Sequence, residues 1–321
     1  MKSKSIYTVI TGGRGAIGSS LAIMLQNDGR FGNVIALDNL SAGEQNFSSS
    51  VGFEYCDICN QEKISNTIKA IKPTYVFHLA AHFANQNSVD YPSSDAATNI
   101  GGTINLFESL RLTSSVKKVV YASSSCVYGN RENMSEGENI GMLETPYAIT
   151  KFSGELYAKY YSDVQKIPST IVRIFNTYGP GEAPGRYRNV IPNFINNAIS
   201  GLPLVITGNG NALRDFTYVT DTSKILMLAA LSEYSNGEVF NGGTGIGTKI
   251  KDLAEIIIRA TQSKSKISYQ DARSWDHVVN RCSNINKSKL LLKYNPSISI
   301  EEGIEMTIPW IRNWRLSREQ Q

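Results

Sequence analysis

A strand-like run followed at once by closely spaced glycines is the feature that most constrains this chain. Residues 6–10 (IYTVI) predict a buried strand, and residues 11–18 (TGGRGAIG) open a helical stretch. Gly13, Gly15 and Gly18 match the pattern G-x-G-x-x-G, which lets the backbone turn tightly and approach a pyrophosphate at the helix N-terminus. Because the glycines stand between a strand and a helix, they predict a dinucleotide-binding turn within a βαβ unit.

The first half of the chain alternates short β-branched runs with longer helical patterns. This alternation is typical of a parallel sheet covered by helices, so we predict an α/β protein with a Rossmann-type, doubly wound parallel sheet. The predicted strands are 7–10, 34–37, 53–56, 75–79, 118–122 and 170–175, and the predicted helices are 17–28, 62–71, 94–112 and 146–162.

A change of character after residue 176 indicates a second, smaller C-terminal α/β lobe. Two loops rich in Gly and Pro, 179–181 and 183–185, interrupt the alternation there. We expect the lobe to bind the substrate. The expected division is a dinucleotide-binding domain at 1–176, to which a segment at about 216–245 returns, and a lobe formed by 177–215 and 246–321.

Composition and charge exclude several classes of protein. Of the 321 residues 19% are charged, the net charge is +4, and no basic run exceeds Lys117-Lys118, which is too dilute for a nucleic-acid track. The longest apolar stretches, such as 225–231, fall short of the roughly 18 residues that indicate a membrane span. The N-terminal residues lack a secretory signal pattern, and four cysteines cannot form a disulfide scaffold. We expect a cytoplasmic protein that binds neither nucleic acid nor membranes.

An acidic residue at the end of the second predicted strand indicates which dinucleotide binds. Asp38 follows Gly18 by 20 residues, where a carboxylate can accept hydrogen bonds from the adenosine ribose. A 2′-phosphate would meet this negative charge, and residues 39–41 contain no Arg to offset it, so the sequence favours NAD over NADP. Asp57, after the third predicted strand, either reaches the adenine or is an ordinary loop aspartate.

Tyr147 and Lys151 form a candidate catalytic pair. They are four residues apart at the start of a predicted helix, so their side chains share one face. An ammonium about 4 Å from a phenol contributes roughly 4 kcal/mol at an effective dielectric of about 20, or about three pKa units. We therefore expect Lys151, with the positive ring of a nicotinamide, to lower the pKa of Tyr147 enough for general-base work. Alone, the Tyr-x-x-x-Lys pattern is typical of a surface helix.

A serine-rich run follows the fifth predicted strand. Residues 123–129 (SSSCVYG) lie at the carboxyl edge of the predicted sheet, where α/β proteins bind ligands. A hydroxyl at this edge can hydrogen-bond a substrate oxygen. The alternative is a serine-rich turn without a catalytic role, which would be preferred if the chain lacked the glycine turn and the Tyr147–Lys151 pair.

Together these motifs resemble those of the extended short-chain dehydrogenase/reductase family, specifically its nucleotide-sugar epimerases and dehydratases. The resemblance spans essentially the whole chain and includes HLAA (78–81), Asn99, RIFNTYGP (173–180) and RDFTYV (214–219). It implies NAD as the cofactor and a nucleotide-diphosphate sugar as the substrate.

The resemblance also implies roles for individual residues. Ser124 would be the catalytic hydroxyl, Tyr147 the base and Lys151 its activator. Two helical stretches, 94–112 and 146–162, would pair with their copies in a homodimer. The cofactor-binding residues would be Gly12, Gly15, Ala16, Ile17, Gly18, Asp38, Asn39, Asp57, Ile58, Leu79, Ala80, Ala81, Asn99 and Lys151. The substrate-binding residues would be His82, Ser124, Ser125, Cys126, Tyr147, Asn176, Asn189, Val190, Arg214, Arg273 and Arg281.

The two residues after Ser124 bear on which reaction of this family is catalysed. All similar enzymes begin by removing the proton of the sugar 4-hydroxyl and passing the C4 hydride to NAD. In similar 4,6-dehydratases an Asp-Glu pair follows the catalytic hydroxyl, whereas this chain has Ser125 and Cys126. A serine hydroxyl is too weak an acid to replace Asp, so we favour a nucleotide-sugar 4-epimerase that forms a transient 4-keto sugar. The alternatives are a dehydratase that uses Cys126, which can equally be a small buried residue, and a non-catalytic dinucleotide sensor.

Three residues bear on the identity of the sugar. His82 and Phe83 occupy positions that line the sugar pocket in similar enzymes, and an approximate alignment places Arg281 where a residue limits the size of the sugar's substituents. An arginine there indicates an anionic sugar such as a uronic acid, or else a phosphate contact or a surface salt bridge. A UDP-hexose and a UDP-uronic acid both stay open.

The cysteines and histidines predict no metal site. Cys56-x-x-Cys59 has no second pair at a suitable spacing and Cys282 is isolated, so we interpret all three as structural. His78 lies in a buried-strand pattern and is interpreted as a packed core residue.

Overall fold

Strands and helices alternate along the first half of the chain, as the sequence predicts. The computed structural model describes residues 5–42, 50–131, 133–138, 140–273 and 278–319. The strands are β1 (Tyr7–Thr11), β2 (Asn33–Asp38), β3 (Gly52–Tyr55), β4 (Tyr75–His78), β5 (Lys118–Ser124), β6 (Ser169–Ile174), β7 (Asn176–Tyr178), β8 (Leu204–Thr207), β9 (Leu213–Tyr218), β10 (Val239–Gly242), β11 (Gly247–Lys249), β12 (Ile267–Gln270) and β13 (Asn280–Arg281). The α-helices are α1 (Ala16–Asn27), α2 (Gln61–Ile71), α3 (Asn85–Asp90), α4 (Pro92–Ala96), α5 (Thr103–Arg111), α6 (Pro146–Asp163), α7 (Val190–Ile199), α8 (Val219–Leu231), α9 (Ile250–Thr261), α10 (Asn286–Leu292) and α11 (Ile300–Glu319). A π-helix (Ala97–Gly102) joins α4 to α5, and short 3₁₀ helices span Ser125–Tyr128 and Glu233–Ser235.

The large sheet has seven parallel strands in the order β10-β6-β5-β4-β1-β2-β3. Six of them coincide with predicted strands, and the seventh, β10, pairs with β6. The sequence of β10 is VFNG, whose Asn and Gly are depleted in strands, so its pattern does not predict one. The strand order reverses between β1 and β4, and in such sheets a ligand crevice opens outside the carboxyl ends of the strands at that point.

Helices cover both faces of this sheet. The central strand β5 is buried along its whole length, as expected where a parallel sheet is covered on two sides. One face packs against α1, α8 and α10, and the other packs against α2, α5 and α6. Each strand end that faces the crevice is therefore held in place by two apolar cores.

The remaining strands form a smaller lobe together with three helices. In it β9 pairs antiparallel with β11 and parallel with β7 and β13, while β8 pairs with β12. The helices α7, α9 and α11 share one apolar core with these strands. By contrast, Leu292 and Tyr294 lie in a core of the large sheet, so part of the segment 246–321, which the sequence assigns to the lobe, packs on that sheet instead.

The predicted helix 94–112 has a more complex form than a single α-helix. The structure begins it at Pro92 and inserts the π-helical turn before α5. This widened turn carries Asn99, whose side chain bonds His82 and Asp95, and π-helical turns recur at functional sites. Among the described helices, none is long and apolar enough to cross a membrane.

Candidate active site

The glycine turn between β1 and α1 needs three of its four glycines, Gly12, Gly13 and Gly18, for packing and leaves Gly15 open. Gly12 has φ +68°, and a Cβ there would lie 2.7 Å from the backbone nitrogen of Ala80. A Cβ on Gly18 would collide with the carbonyl oxygen of Gly12. A Cβ on Gly15 would meet nothing closer than 3.4 Å, so packing alone does not explain this glycine.

The N-terminus of α1 fits an anionic group. Gly15 is the N-cap residue, and no side chain caps the first N–H groups of the helix, which include those of Ala16 and Ile17. Uncapped N–H groups and the helix dipole favour a phosphate at this position. The open space at Gly15 lies beside them, so the turn fits the pyrophosphate of a dinucleotide.

Two carboxylates lie at the carboxyl ends of the adjoining strands, β2 and β3. Asp38, the last residue of β2, accepts hydrogen bonds from the backbone N–H groups of Arg14 (2.9 Å) and Leu40 (2.7 Å). Asp57 accepts hydrogen bonds from Asn39 Nδ2 at 3.1 Å and from the N–H of Cys59 at 2.8 Å. Asp38 therefore fixes the glycine turn against β2, and its predicted contact with a ribose stays a prediction.

The residues after β4 run alongside the glycine turn. The N–H of Leu79 donates to the carbonyl of Thr11 at 3.1 Å, and the N–H of Ala80 donates to the Thr11 hydroxyl at 3.3 Å. Ala81 and His82 continue this segment, and all four residues are half-buried. Ile58 packs beneath the π-helix, where a Cβ on Gly102 would come within 2.5 Å of it. The candidate cofactor residues from four strand ends thus lie at one edge of the sheet.

Ser124, Tyr147 and Lys151 are all buried at this edge. Ser124 ends β5, whereas Tyr147 and Lys151 occupy the first two turns of α6. The helix begins sharply, because Thr145 accepts a hydrogen bond from the N–H of Ala148 at 3.2 Å and Pro146 takes the first helical position. Ser124 lies close to the Tyr147 phenol and lowers its pKa. The structure therefore brings together the three side chains that the sequence predicts to act as a unit.

Two further contacts hold Tyr147 in place. Its backbone N–H donates to the Ser88 hydroxyl at 3.0 Å, and its ring packs edge-on against Phe83 with the centroids 6.0 Å apart. Ser88 and Phe83 belong to the chain that follows β4, so this segment supports the catalytic helix as well as the cofactor side of the crevice.

The expectation that Lys151 lowers the pKa of Tyr147 is wrong for the protein groups alone. Burial raises the pKa of Tyr147 far above its ordinary value, and nearby Cys126 and Asp95 raise it further, against the hydrogen bond from Ser124. Burial also lowers the pKa of Lys151 to about 8, although Asp95 and Glu155 favour its charged form. The sequence argument counted the attraction between phenolate and ammonium and omitted the desolvation that both groups undergo.

A buried carboxylate that the sequence argument missed lies behind Lys151. Asp95 is fully buried and accepts hydrogen bonds from Thr150 Oγ1 at 2.5 Å and from Asn99 Nδ2 at 3.0 Å. His82 Nδ1 lies 3.8 Å from it, and the N–H of His82 donates to Asn99 Oδ1 at 2.8 Å. Asn99 therefore connects the cofactor edge to the helix that carries Tyr147 and Lys151. In the sequence, the feature that pointed to a buried acceptor here is the hydroxyl of Thr150, which stands next to Lys151.

Cys126 contacts two donors from distant parts of the chain. Its Sγ accepts a hydrogen bond from Asn85 Nδ2 at 3.4 Å and another from Arg281 Nη1 at 3.5 Å. The thiol is buried, as a small core residue would be, but it has polar partners. A small cavity of about 20 Å³ adjoins it, and Ser125 is buried in the same 3₁₀ turn. Asn85 carries no pattern that would have identified it from sequence.

The predicted substrate-binding residues of the lobe lie on neighbouring strands and at the start of α7. Asn176 Nδ2 donates to the carbonyl of Asp215 at 3.2 Å, and Asn189 Nδ2 donates to that of Thr177 at 3.3 Å. Arg214 Nη1 donates to the carbonyls of Leu213 (2.9 Å) and Val279 (3.2 Å). The positions that remain are the half-buried Val190 at the start of α7, Arg281 beside Arg214 on β13, and the exposed Arg273, which borders residues 274–277 outside the described ranges.

The histidine and cysteine residues set aside in the sequence have structural partners. His78 is buried between the hydroxyls of Thr11 and Thr103, and burial lowers its pKa to about 3. Cys56 is buried and Cys59 donates to the carbonyl of Ala97 at 3.7 Å. Within the described ranges no three His, Cys, Asp or Glu side chains lie close enough together to hold a metal ion.

Comparison with known proteins shows similarity over nearly the whole chain. The profile of the NAD dependent epimerase/dehydratase family matches residues 8–243. A UDP-glucose 4-epimerase from Mycolicibacterium smegmatis is 32% identical over 314 residues, which cover 95% of this chain and 98% of that protein. A UDP-N-acetyl-alpha-D-glucosaminuronate decarboxylase from Bacillus cytotoxicus is 33% identical over 317 residues, with 95% of this chain and 97% of that protein covered.

Solved structures agree with this similarity. An epimerase from Methanothermobacter thermautotrophicus superposes with a TM-score of 0.93 at 39% identity, covering 98% of this chain and 95% of the other. A UDP-glucose 4-epimerase from Thermus thermophilus in complex with NAD gives a TM-score of 0.86 at 27% identity, covering 96% and 99%. With the open glycine turn, these findings identify NAD as the cofactor that the crevice fits.

Proposed function

This chain belongs to the NAD dependent epimerase/dehydratase family, and we propose that within it the protein is a nucleotide-sugar 4-epimerase. The observation that carries the proposal is the buried set Ser124, Tyr147 and Lys151 next to a serine, Ser125, at the position where elimination would need an acid. A serine hydroxyl does not donate a proton at neutral pH, whereas epimerisation needs no second acid. Relatives with 4-epimerase activity support the same reading.

Each of the three side chains has one task in the proposed reaction. Tyr147 accepts the proton of the sugar 4-hydroxyl, and Ser124 hydrogen-bonds the same oxygen as it becomes a carbonyl. NAD, when bound, supplies the hydride acceptor and a positive ring. Because burial raises the pKa of Tyr147, its phenolate depends on nearby positive charge, and we assign that role to the cofactor ring together with Lys151, one helical turn away. To complete the reaction, the 4-keto sugar would turn and take the hydride back from the reduced cofactor on the other face of C4, and Tyr147 would return the proton to the C4 oxygen.

The experiment that tests this proposal uses the purified protein with NAD and a panel of UDP, GDP, CDP and dTDP sugars. NMR is expected to show the 4-epimer of one substrate with its mass unchanged. Tyr147→Phe should reduce kcat by at least about 100-fold because the proton acceptor is lost. Tyr234→Phe, which alters an exposed tyrosine in the 3₁₀ helix Glu233–Ser235, is the matched control and should stay near the parent value. A panel that yields no epimer would refute the proposal.

A nucleotide-sugar dehydratase is the second candidate, and Cys126 is the observation that favours it. Its Sγ accepts hydrogen bonds from Asn85 and Arg281, and in a dehydratase the thiol would take part in the proton transfer that elimination requires. The two candidates differ in product mass, because elimination releases water and epimerisation does not. Mass spectrometry of the same reactions therefore distinguishes them.

We further propose that the lobe holds the nucleotide diphosphate. Asn176, Asn189 and Arg214 lie on neighbouring elements of the lobe, and the guanidinium of Arg214 can offer a bidentate pair of donors to phosphate. Val190 and Arg273 complete the proposed set. In this proposal the nucleotide binds to the lobe, and the reacting sugar carbon lies beside Tyr147.

A further inference from the structure

Arg281 is a buried cation that forms no ion pair with the part of the chain that the structure describes. The residue is 9% exposed, and its guanidinium donates a hydrogen bond from Nη1 to the Sγ of Cys126 at 3.5 Å. Its Nε is buried and has no hydrogen-bond partner among the described residues. No carboxylate among the described residues forms an ion pair with it. A guanidinium in such surroundings loses hydration without compensation, and an anionic ligand would restore the missing interactions.

The position of Arg281 places that ligand at the reacting end of the substrate. Cys126, its partner, lies two residues after Ser124, and Ala148, which follows Tyr147, lines the same cavity as Arg281. Asn85 completes the wall, since it donates to Cys126 through Nδ2 and accepts from the Thr145 hydroxyl at 2.8 Å through Oδ1. A group that binds Arg281 therefore lies close to the proposed catalytic hydroxyl and base.

Two other charged residues bear on what binds here. Glu144 also lines the cavity and is half-buried, so an anion bound by Arg281 has to lie on the side of the guanidinium away from this carboxylate. Arg214 stands opposite Arg281 in the register of β9 and β13. Arg214 donates to backbone carbonyls of the lobe, whereas Arg281 contacts the turn that follows Ser124. We therefore assign Arg214 to the diphosphate and Arg281 to an anionic group nearer the sugar.

We propose that Arg281 binds a carboxylate carried by the sugar, so that the substrate is a nucleotide-linked hexose with a carboxylate, such as a uronic acid. Cys126, itself held by Asn85, contacts Nη1 of the guanidinium, and the edge of Arg281 that carries the unpartnered Nε would form charge-assisted hydrogen bonds with the carboxylate oxygens. The inference rests on the proposed function, because it assumes a nucleotide sugar in the crevice.

Binding measurements test the proposal without depending on turnover. In a Tyr147→Phe background with NAD bound, calorimetry would compare UDP, UDP-glucose and UDP-glucuronate. Arg281→Gln is expected to weaken UDP-glucuronate binding by at least about 10-fold, the range for a lost charged hydrogen bond, and to change binding of the other two by less than about threefold. Arg259→Gln, which neutralises an exposed arginine of α9, is the matched control and should change none of the three.

Each other outcome overturns the carboxylate assignment. Equal weakening of all three ligands would make Arg281 a diphosphate contact, and no weakening would make it a structural residue. A second measurement needs no substitution at Arg281: UDP-glucuronamide, the neutral isostere, should bind at least about 10-fold more weakly than UDP-glucuronate, and equal affinity would refute the proposal. The epimerase proposal fails independently of this one if the protein with Tyr147 intact binds a nucleotide sugar tightly but forms no epimer.

Discussion

Asp95 places a buried negative charge beside the cationic residue of the site. It is fully buried, and burial raises its own pKa while Thr150, His82 and Lys151 act in the opposite direction. The same carboxylate raises the pKa of Lys151, which burial otherwise lowers. At the scale of single residues, the charge state of Lys151 at neutral pH therefore depends on a side chain that does not contact the substrate in the proposed reaction.

Asp95→Asn is expected to lower the pKa of Lys151 below its value of about 8, because the attraction of the carboxylate is lost while burial remains. The ammonium exists below that pKa, so kcat of the parent protein should fall as the pH rises through about 8 and kcat of the variant should fall at lower pH. Profiles of kcat from about pH 6 to 10 measure the shift. Asp252→Asn, on the exposed side of α9, is the control, and an unshifted profile for Asp95→Asn would contradict this role.

Whole elements were predictable where the pattern is local. The strand runs, the helical periods and the glycine turn are encoded within windows of about 20 residues, and the large sheet follows from them. The seventh strand, β10, was not predictable, because its four residues become a strand only beside β6. The contact between Cys126 and Arg281 joins residues 155 positions apart, so no local pattern encodes it. The pKa of Tyr147 depends on burial, which only the packed structure reveals.

A buried ion pair fixes the catalytic helix to the sheet. Glu155 of α6 and Arg173 of β6 form two hydrogen bonds, of 2.9 and 2.8 Å, and both side chains are buried. The Ser123 hydroxyl of β5 also donates to Glu155, at 2.5 Å. Because Ser123 precedes Ser124 and Glu155 follows Lys151 by one helical turn, this pair holds the two halves of the catalytic set in register.

Glu155→Gln is expected to lower the free energy of unfolding by about 3 kcal/mol, because it leaves the buried guanidinium of Arg173 without its counter-charge. Urea unfolding followed by circular dichroism measures the change. Glu54→Gln removes one partner of the exposed pair with Lys63 and should cost less than about 1 kcal/mol. An equal decrease in the free energy of unfolding for the two variants would show that the buried pair does not anchor α6.

At the scale of the whole molecule, α6 carries an apolar stripe on the side turned away from the catalytic residues. Ile149, Leu156 and Tyr160 are 49%, 56% and 45% exposed. Leu156 and Tyr160 follow Ile149 by seven and eleven residues. Both intervals are close to a whole number of helical turns, so the three side chains lie on one face of the helix. Contiguous exposed apolar surface of this kind marks an interaction site, which agrees with the homodimer that the family resemblance implies.

We therefore expect the protein to be a dimer in solution through α6, and Leu156→Asp to convert it to a monomer, because two buried charges would face each other across the symmetric interface. Size-exclusion chromatography with light scattering at several concentrations measures the molar mass. Leu290→Asp introduces the same charge in place of an exposed leucine on α10 and should leave the dimer intact. A parent protein that is monomeric would show that α6 is not an association surface. A Leu156→Asp variant that stays dimeric would show that the association surface lies elsewhere. Since Tyr147 and Lys151 lie on the same helix, a monomeric variant that stays folded would also show whether association supports the geometry of the active site.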